Sequence, residues 1–90
     1  MDRDKIKQTL IEAISEFGDL PPFEIEMDKT LKELALDSLE AVEVVLKVEG
    51  ELDMAIPDDA YSLDMTVGNI VDAIAKKGTP YESARATRRP

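Results

Sequence analysis

The chain has no cysteine and no histidine in its 90 residues. Without cysteine there is no disulfide framework, no thiolate metal site and no redox compartment to infer. Without histidine no Ser-His-Asp or Cys-His arrangement can form, and an ordinary zinc site lacks its usual ligands. Self-contained hydrolytic machinery of that kind is excluded. Also missing is any run of about eighteen apolar residues that could span a bilayer. Nothing resembles a signal peptide, because a polar first helix begins at once. The expectation is a cytoplasmic chain with no membrane insertion. There is no strand-like alternation of useful length and no internal repeat.

What is present is acid. Twenty Asp and Glu stand against 11 Lys and Arg, a formal charge of -9. Lys76, Lys77, Arg85, Arg88 and Arg89 against Glu82 give residues 76–90 a charge of +4, leaving -13 for residues 1–75. So acidic a body argues against nucleic acid, whose binding rests on neutralised phosphates. Its natural complement is a basic partner surface, approached by electrostatic steering. Solubility alone also accounts for such acidity in many proteins. A chain of this length makes one small domain that buries about 60–65% of its unfolded surface, so its core is modest.

Residues 3–17 repeat apolar groups at Ile6, Leu10, Ala13, Ile14 and Phe17, opposite Lys5, Lys7, Gln8, Glu12 and Glu16. That is a helical stripe, and Gly18 stops it. Residues 18–36 form a long connection in which Pro21-Pro22 rules out helix. Phe23, Ile25, Leu31 and Leu34 are expected to pin it to the core, with Glu24, Glu26, Asp28 and Glu33 facing water. A second helix, about 37–51, is apolar at 39, 42, 44, 45, 46 and 48. So wide an arc means burial on two sides or an apolar edge left for a partner. Gly50 weakens its end, and Leu52 and Ile56 continue the core. Pro57-Asp58-Asp59 starts a short third helix near 58–63. Thr66 caps a last helix with Val67, Ile70, Val71 and Ile74 on one face, closed by Lys76, Lys77, Gly78 and Pro80. The fold class is all-α: a small antiparallel four-helix bundle with a long loop between helices 1 and 2. Residues 1–78 form the domain. Residues 79–90 are expected to be a disordered tail.

One serine has a particular address. In Leu34-Ala35-Leu36-Asp37-Ser38-Leu39, Asp37 has the position of an N-cap, and Glu40 completes a capping-box spacing. Ser38 is then the first helical residue, with its hydroxyl beside unpaired N–H groups and the positive end of the helix dipole. A phosphate ester on that oxygen would lie in an anion site. Taken alone, Asp-Ser is as readily only a cap.

The pattern downstream adds to this. The run Asp37-Ser38-Leu39-Glu40-Ala41-Val42-Glu43-Val44-Val45, then Ile56-Pro57-Asp58-Asp59, then Thr66-Val67-Gly68-Asn69-Ile70-Val71, resembles the acyl carrier proteins, over roughly residues 3–76. The resemblance implies a 4′-phosphopantetheine arm on Ser38, within the motif of Asp37 and Leu39, holding acyl groups as thioesters. It implies a carrier and not an enzyme, with no metal of its own, acting as a monomer. A phosphopantetheinyl transferase would install the arm, and acyl-loading, condensing or acyl-transfer enzymes with basic surfaces would read it. Cargo from fatty-acid, polyketide or related lipid synthesis is implied, with an aminoacyl, peptidyl or D-alanyl carrier, or an unmodified interaction module, as alternatives.

By the same resemblance Glu40, Glu43, Glu49, Asp58 and Asp59 would face partners, with Val42 and Leu46 as apolar contacts among them. A solvated acid face and ordinary core packing are the competing readings. Val44, Val48, Ile56 and Ile74 would line the space an acyl chain enters. Three features depart from the family pattern. Ala35 stands where a glycine commonly precedes the motif, so either that position does not need φ > 0 or the turn differs. Lys47 and Gly50 dilute the usual acidic face, and the basic tail is extra. A calcium loop finds no support, because Asp53 to Asp64 lacks the alternating ligands, central glycine and closing glutamate of an EF-hand.

Overall fold

The computed structural model describes residues 2–80. Helix α1, Arg3–Gly18, opens where the Asp2 carboxylate accepts the Asp4 N–H at 3.0 Å. Its stripe buries Ile6, Leu10, Ala13 and Ile14. The residue that ends it in the left-handed region is Asp19, at φ 54 and ψ 47, and not Gly18. Aspartate tolerates that region because its short polar side chain can bond locally. Gly18 stays helical and lies close to Leu36, whose side chain a Cβ there would approach to 3.1 Å.

Helix α2, Ser38–Leu52, runs straight through Gly50 and ends on left-handed Asp53. Helix α3, Val67–Lys77, is capped by Thr66, whose hydroxyl accepts the Asn69 N–H at 3.1 Å. Helix α1 packs against both α2 and α3. Strands β1, Met54–Ala55, and β2, Thr79–Pro80, pair antiparallel with Met54 opposite Pro80. Gly78 leads into β2 at φ -66. Glycine is required there for close approach and not for handedness, since a Cβ would collide with Met54 and come within 2.7 Å of the Ile74 carbonyl oxygen. Of the expected tail, Thr79 and Pro80 are paired in β2, while residues 81–90 lie outside the described residues.

The expected third helix is a single 3-10 turn, Asp58–Ala60, so the described residues hold three α-helices and not four. The reason is competition for backbone groups from a distant part of the chain. Past that turn the chain is extended at Tyr61, the Leu63 carbonyl accepts the Lys32 N–H at 3.0 Å, and Thr66 bridges to Thr30. Residues that would extend the helix are engaged by the long connection instead.

That connection also closes the start of α3. Val67 N–H donates to the Lys29 carbonyl at 2.8 Å and Gly68 N–H to the Met27 carbonyl at 2.9 Å. Two of the unpaired donors of a helix N-terminus are thereby satisfied. Ile25, Leu31, Leu34 and Leu36 of the connection join one continuous core with the faces of all three helices. Phe23 does not. Carried on the short 3-10 turn Pro22–Glu24, it is 82% exposed, contrary to the expectation that it pins the loop.

Candidate functional site

The turn before α2 decides how Ser38 is displayed. Leu36 N–H donates to the Leu31 carbonyl and Ala35 N–H to the Lys32 carbonyl, both at 3.0 Å. The turn closes only with Ala35 at φ 65. The position does need φ > 0, and this chain meets the need with alanine. Leu36 and Ala41 are buried, at the spacing of a hydrophobic staple. The capping box is complete: Asp37 Oδ1 accepts the Glu40 N–H at 2.8 Å, and Glu40 Oε1 accepts the Asp37 N–H at 3.1 Å. Asp37, Ser38 and Leu39 are therefore turned outward, with Leu39 68% exposed.

The donor set suits an ester-linked group and not a self-acting nucleophile. Both carboxylates beside Ser38 are engaged with backbone N–H groups, and no histidine exists to take its proton. A phosphodiester at the Ser38 oxygen would meet the partial positive charge of the helix end, opposed by the Asp37 and Glu40 charges. Such a balance would leave the group tethered but not gripped.

Helix α2 has two apolar faces. Ala41, Val44, Val45, Val48 and Leu52 are buried. Leu39, Val42 and Leu46, spaced on the other side, are 68%, 41% and 59% exposed. The wide arc is thus an exposed edge, and core packing does not account for Val42 and Leu46. A groove of about 230 Å³ adjoins it, lined by Val42, Val45, Leu46 and Glu49 from α2 and by Ile56, Asp58 and Tyr61 across from them. Val44, Val48, Ile56 and Ile74 are buried together in the continuous core behind it.

The acids of this region divide by what they hold. Glu40 completes the cap. Glu49 Oε2 accepts the Ile56 N–H at 2.7 Å. Asp59 pairs with Lys77 at 3.2 Å. Glu43 and Asp58 have no ion pair or side-chain hydrogen bond among the described residues. Lys47 does not simply dilute the acidic face, because it donates to Glu16 of α1 at 3.0 Å and lies 3.7 Å from Glu51. The Glu16 hydrogen bond, outweighing partial desolvation, raises the Lys47 ammonium above its ordinary value.

Sequence reasoning missed Val45 and Tyr61 as groove residues. Burial, and after it the negative charges of Asp58 and Glu49, push the Tyr61 phenol up from its usual pKa. The available signal was one aromatic in the acidic stretch after Pro57. Among the described residues no three acids converge to hold a metal ion, and no helix is long and apolar enough to cross a membrane.

Comparison with known proteins bears on this arrangement directly. Residues 8–74 match the family described as "Phosphopantetheine attachment site". The chain is 36% identical over 76 residues to the acyl carrier protein of Acidothermus cellulolyticus, covering 83% of this chain and 90% of that one. It is 36% identical over 74 residues to that of Clostridium perfringens, with 81% and 92% covered. Against that of Prochlorococcus marinus it is 36% identical over 80 residues, with 87% and 100% covered. A helical domain with an outward serine at a capped helix head, and these likenesses over most of its length, lead to one statement: the chain belongs to the acyl carrier protein family, carriers with a 4′-phosphopantetheine prosthetic group.

Proposed function

We propose that Ser38 is the attachment point of the 4′-phosphopantetheine group and that the chain tethers acyl intermediates for fatty-acid, polyketide or related lipid synthesis. The observation that carries this is the outward Ser38 at the complete Asp37–Glu40 capping box. When bound, the group supplies a terminal thiol that holds the cargo as a thioester. Asp37 fixes the first turn so that the serine is presented in one orientation, and Leu39 adds an apolar neighbour for an incoming enzyme. Tethering raises the local concentration of cargo at a partner's active site.

Partners meet the outer face of α2. Leu39, Val42 and Leu46 are the apolar contacts, and Glu43 and Asp58 are the acids left to attract a basic surface. A phosphopantetheinyl transferase and acyl-loading, condensing or transfer enzymes are the partners in this reading. Glu40, Glu49 and Asp59 contribute to the field of that face while holding the fold. Acyl cargo shelters among Val44, Val48, Ile56 and Ile74, a reading supported by the buried, apolar core they share. Charging the arm-bearing protein with acyl and aminoacyl donors in parallel tests the cargo class. Acyl groups released by hydroxylamine are expected; loading by aminoacyl donors alone would contradict it.

A further inference from the structure

The wall of the groove opposite α2 is held from two sides. The segment Ile56–Tyr61 is joined to α3 by the Asp59–Lys77 pair at 3.2 Å, and its 3-10 turn packs on α3 with Ala60 fully buried. Toward α2, among the described residues, one hydrogen bond ties it: Ile56 N–H to Glu49 Oε2, at 2.7 Å and half-buried. Pro57 follows and has no N–H, so this donor has no immediate substitute. Residue 49 also accepts the Asp53 N–H through its carbonyl, so it ends α2 and holds the next segment at once. Val45 and Ile56 form the back of the groove, with Val44, Val48 and Ile74 packed in the same core. A chain passing from groove to core between Val45 and Ile56 would part Ile56 from α2.

We propose that Glu49 is a positioning residue, the latch of this seam, and that its hydrogen bond to Ile56 sets how readily an acyl chain passes from the groove into the core. The proposal rests on the cargo reading above. A buried N–H without a partner is unfavourable, so the latch is closed at rest. What the latch requires is an acceptor at the end of a side chain of this length, and not a charge.

That distinction supplies the test. Backbone hydrogen exchange is measured at Ile56 in the unmodified chain, with Val67 and Gly68, bonded to Lys29 and Met27, as internal references. Glu49→Ala is expected to speed exchange at Ile56 about tenfold relative to those references. Glu49→Gln, whose amide oxygen can accept the same N–H, should restore it, and Glu43→Ala should leave it unchanged. With an octanoyl group attached, Glu49→Ala should enlarge the chemical-shift changes at Val48 and Ile74 beyond those of Glu49→Gln. Unchanged Ile56 exchange in Glu49→Ala, or Glu49→Gln behaving as alanine, overturns the latch. Altered exchange with equal core shifts in all variants overturns its gating role alone. Core residues unshifted in every variant overturn the cargo reading itself.

Discussion

Two small residues sit where their neighbours' chemistry asks for the other. Ala35 holds φ 65, where the Cβ of an L-residue crowds the next carbonyl oxygen. Gly50 sits inside α2 with nothing within 4 Å of where a Cβ would be. Ala35→Gly and Gly50→Ala are each expected to raise stability by about 0.5–1 kcal/mol, after allowing for the entropy of glycine in the unfolded chain. Urea midpoints at unchanged slope would register both. Asp37→Ala works the other way, losing the cap of α2 at about 0.5–2 kcal/mol, with slower modification of Ser38 through a frayed first turn. The capping box was legible because Asp37 and Glu40 are three residues apart and answer only to each other. The requirement at Ala35 was not, because it comes from a turn closed by Leu31 and Lys32, and alanine carries no sign of its φ. The Glu49 bond to Ile56 was equally hidden, since a glutamate on a helix surface reads as solvated.

Among the elements, α2 explains most. Its valines alone could not say whether the wide apolar arc was buried twice or exposed once; the packing of α1 against one side decided it, leaving Leu39, Val42 and Leu46 outside. Glu43→Lys on that face is expected to slow modification by the transferase in a salt-dependent way with an unchanged melting temperature. Glu49→Lys should slow it and also lower the melting temperature, because it removes the acceptor for Ile56. Equal melting of the two variants would return Glu49 to the surface acids. The third helix stops at one turn for a non-local reason, the pairing of Leu63 and Thr66 with the long connection, which no local pattern in the sequence carries. That connection contains a reciprocal pair of its own: Glu33 N–H bonds Thr30 Oγ1 at 3.0 Å, and Thr30 N–H bonds Glu33 Oε1 at 2.9 Å. The Thr30 backbone bond, then its hydroxyl, hold the Glu33 carboxyl below its ordinary pKa. A lowered folded-state pKa gives stability that is present above the unfolded value, about 4.3, and fades as pH falls through the folded one. Glu33→Gln should therefore flatten the acid side of the urea-midpoint profile below about pH 4.

For the whole molecule, a net charge of -9 and one continuous apolar core among the described residues support the proposed reading of basic partners outside and a sheltered chain within. Val44, Val48, Ile56 and Ile74 are at most 6% exposed, so a cargo entering there displaces packed side chains. Each methylene it buries is worth about 0.8 kcal/mol at best, less the cost of parting the core. The octanoyl form is accordingly expected to melt above the form with a bare arm; equal melting would mean the cargo stays in solvent. All of this depends on where the arm is attached. The direct measurement is intact mass after incubation with a phosphopantetheinyl transferase and coenzyme A, on the natural chain and on Ser38→Ala. One added phosphopantetheine on the natural chain is predicted, and none on a Ser38→Ala variant whose stability moves by no more than about 0.5 kcal/mol. An unmodified natural chain, a modified Ser38→Ala, or an adduct mapped to Ser15 or Ser62 would contradict it.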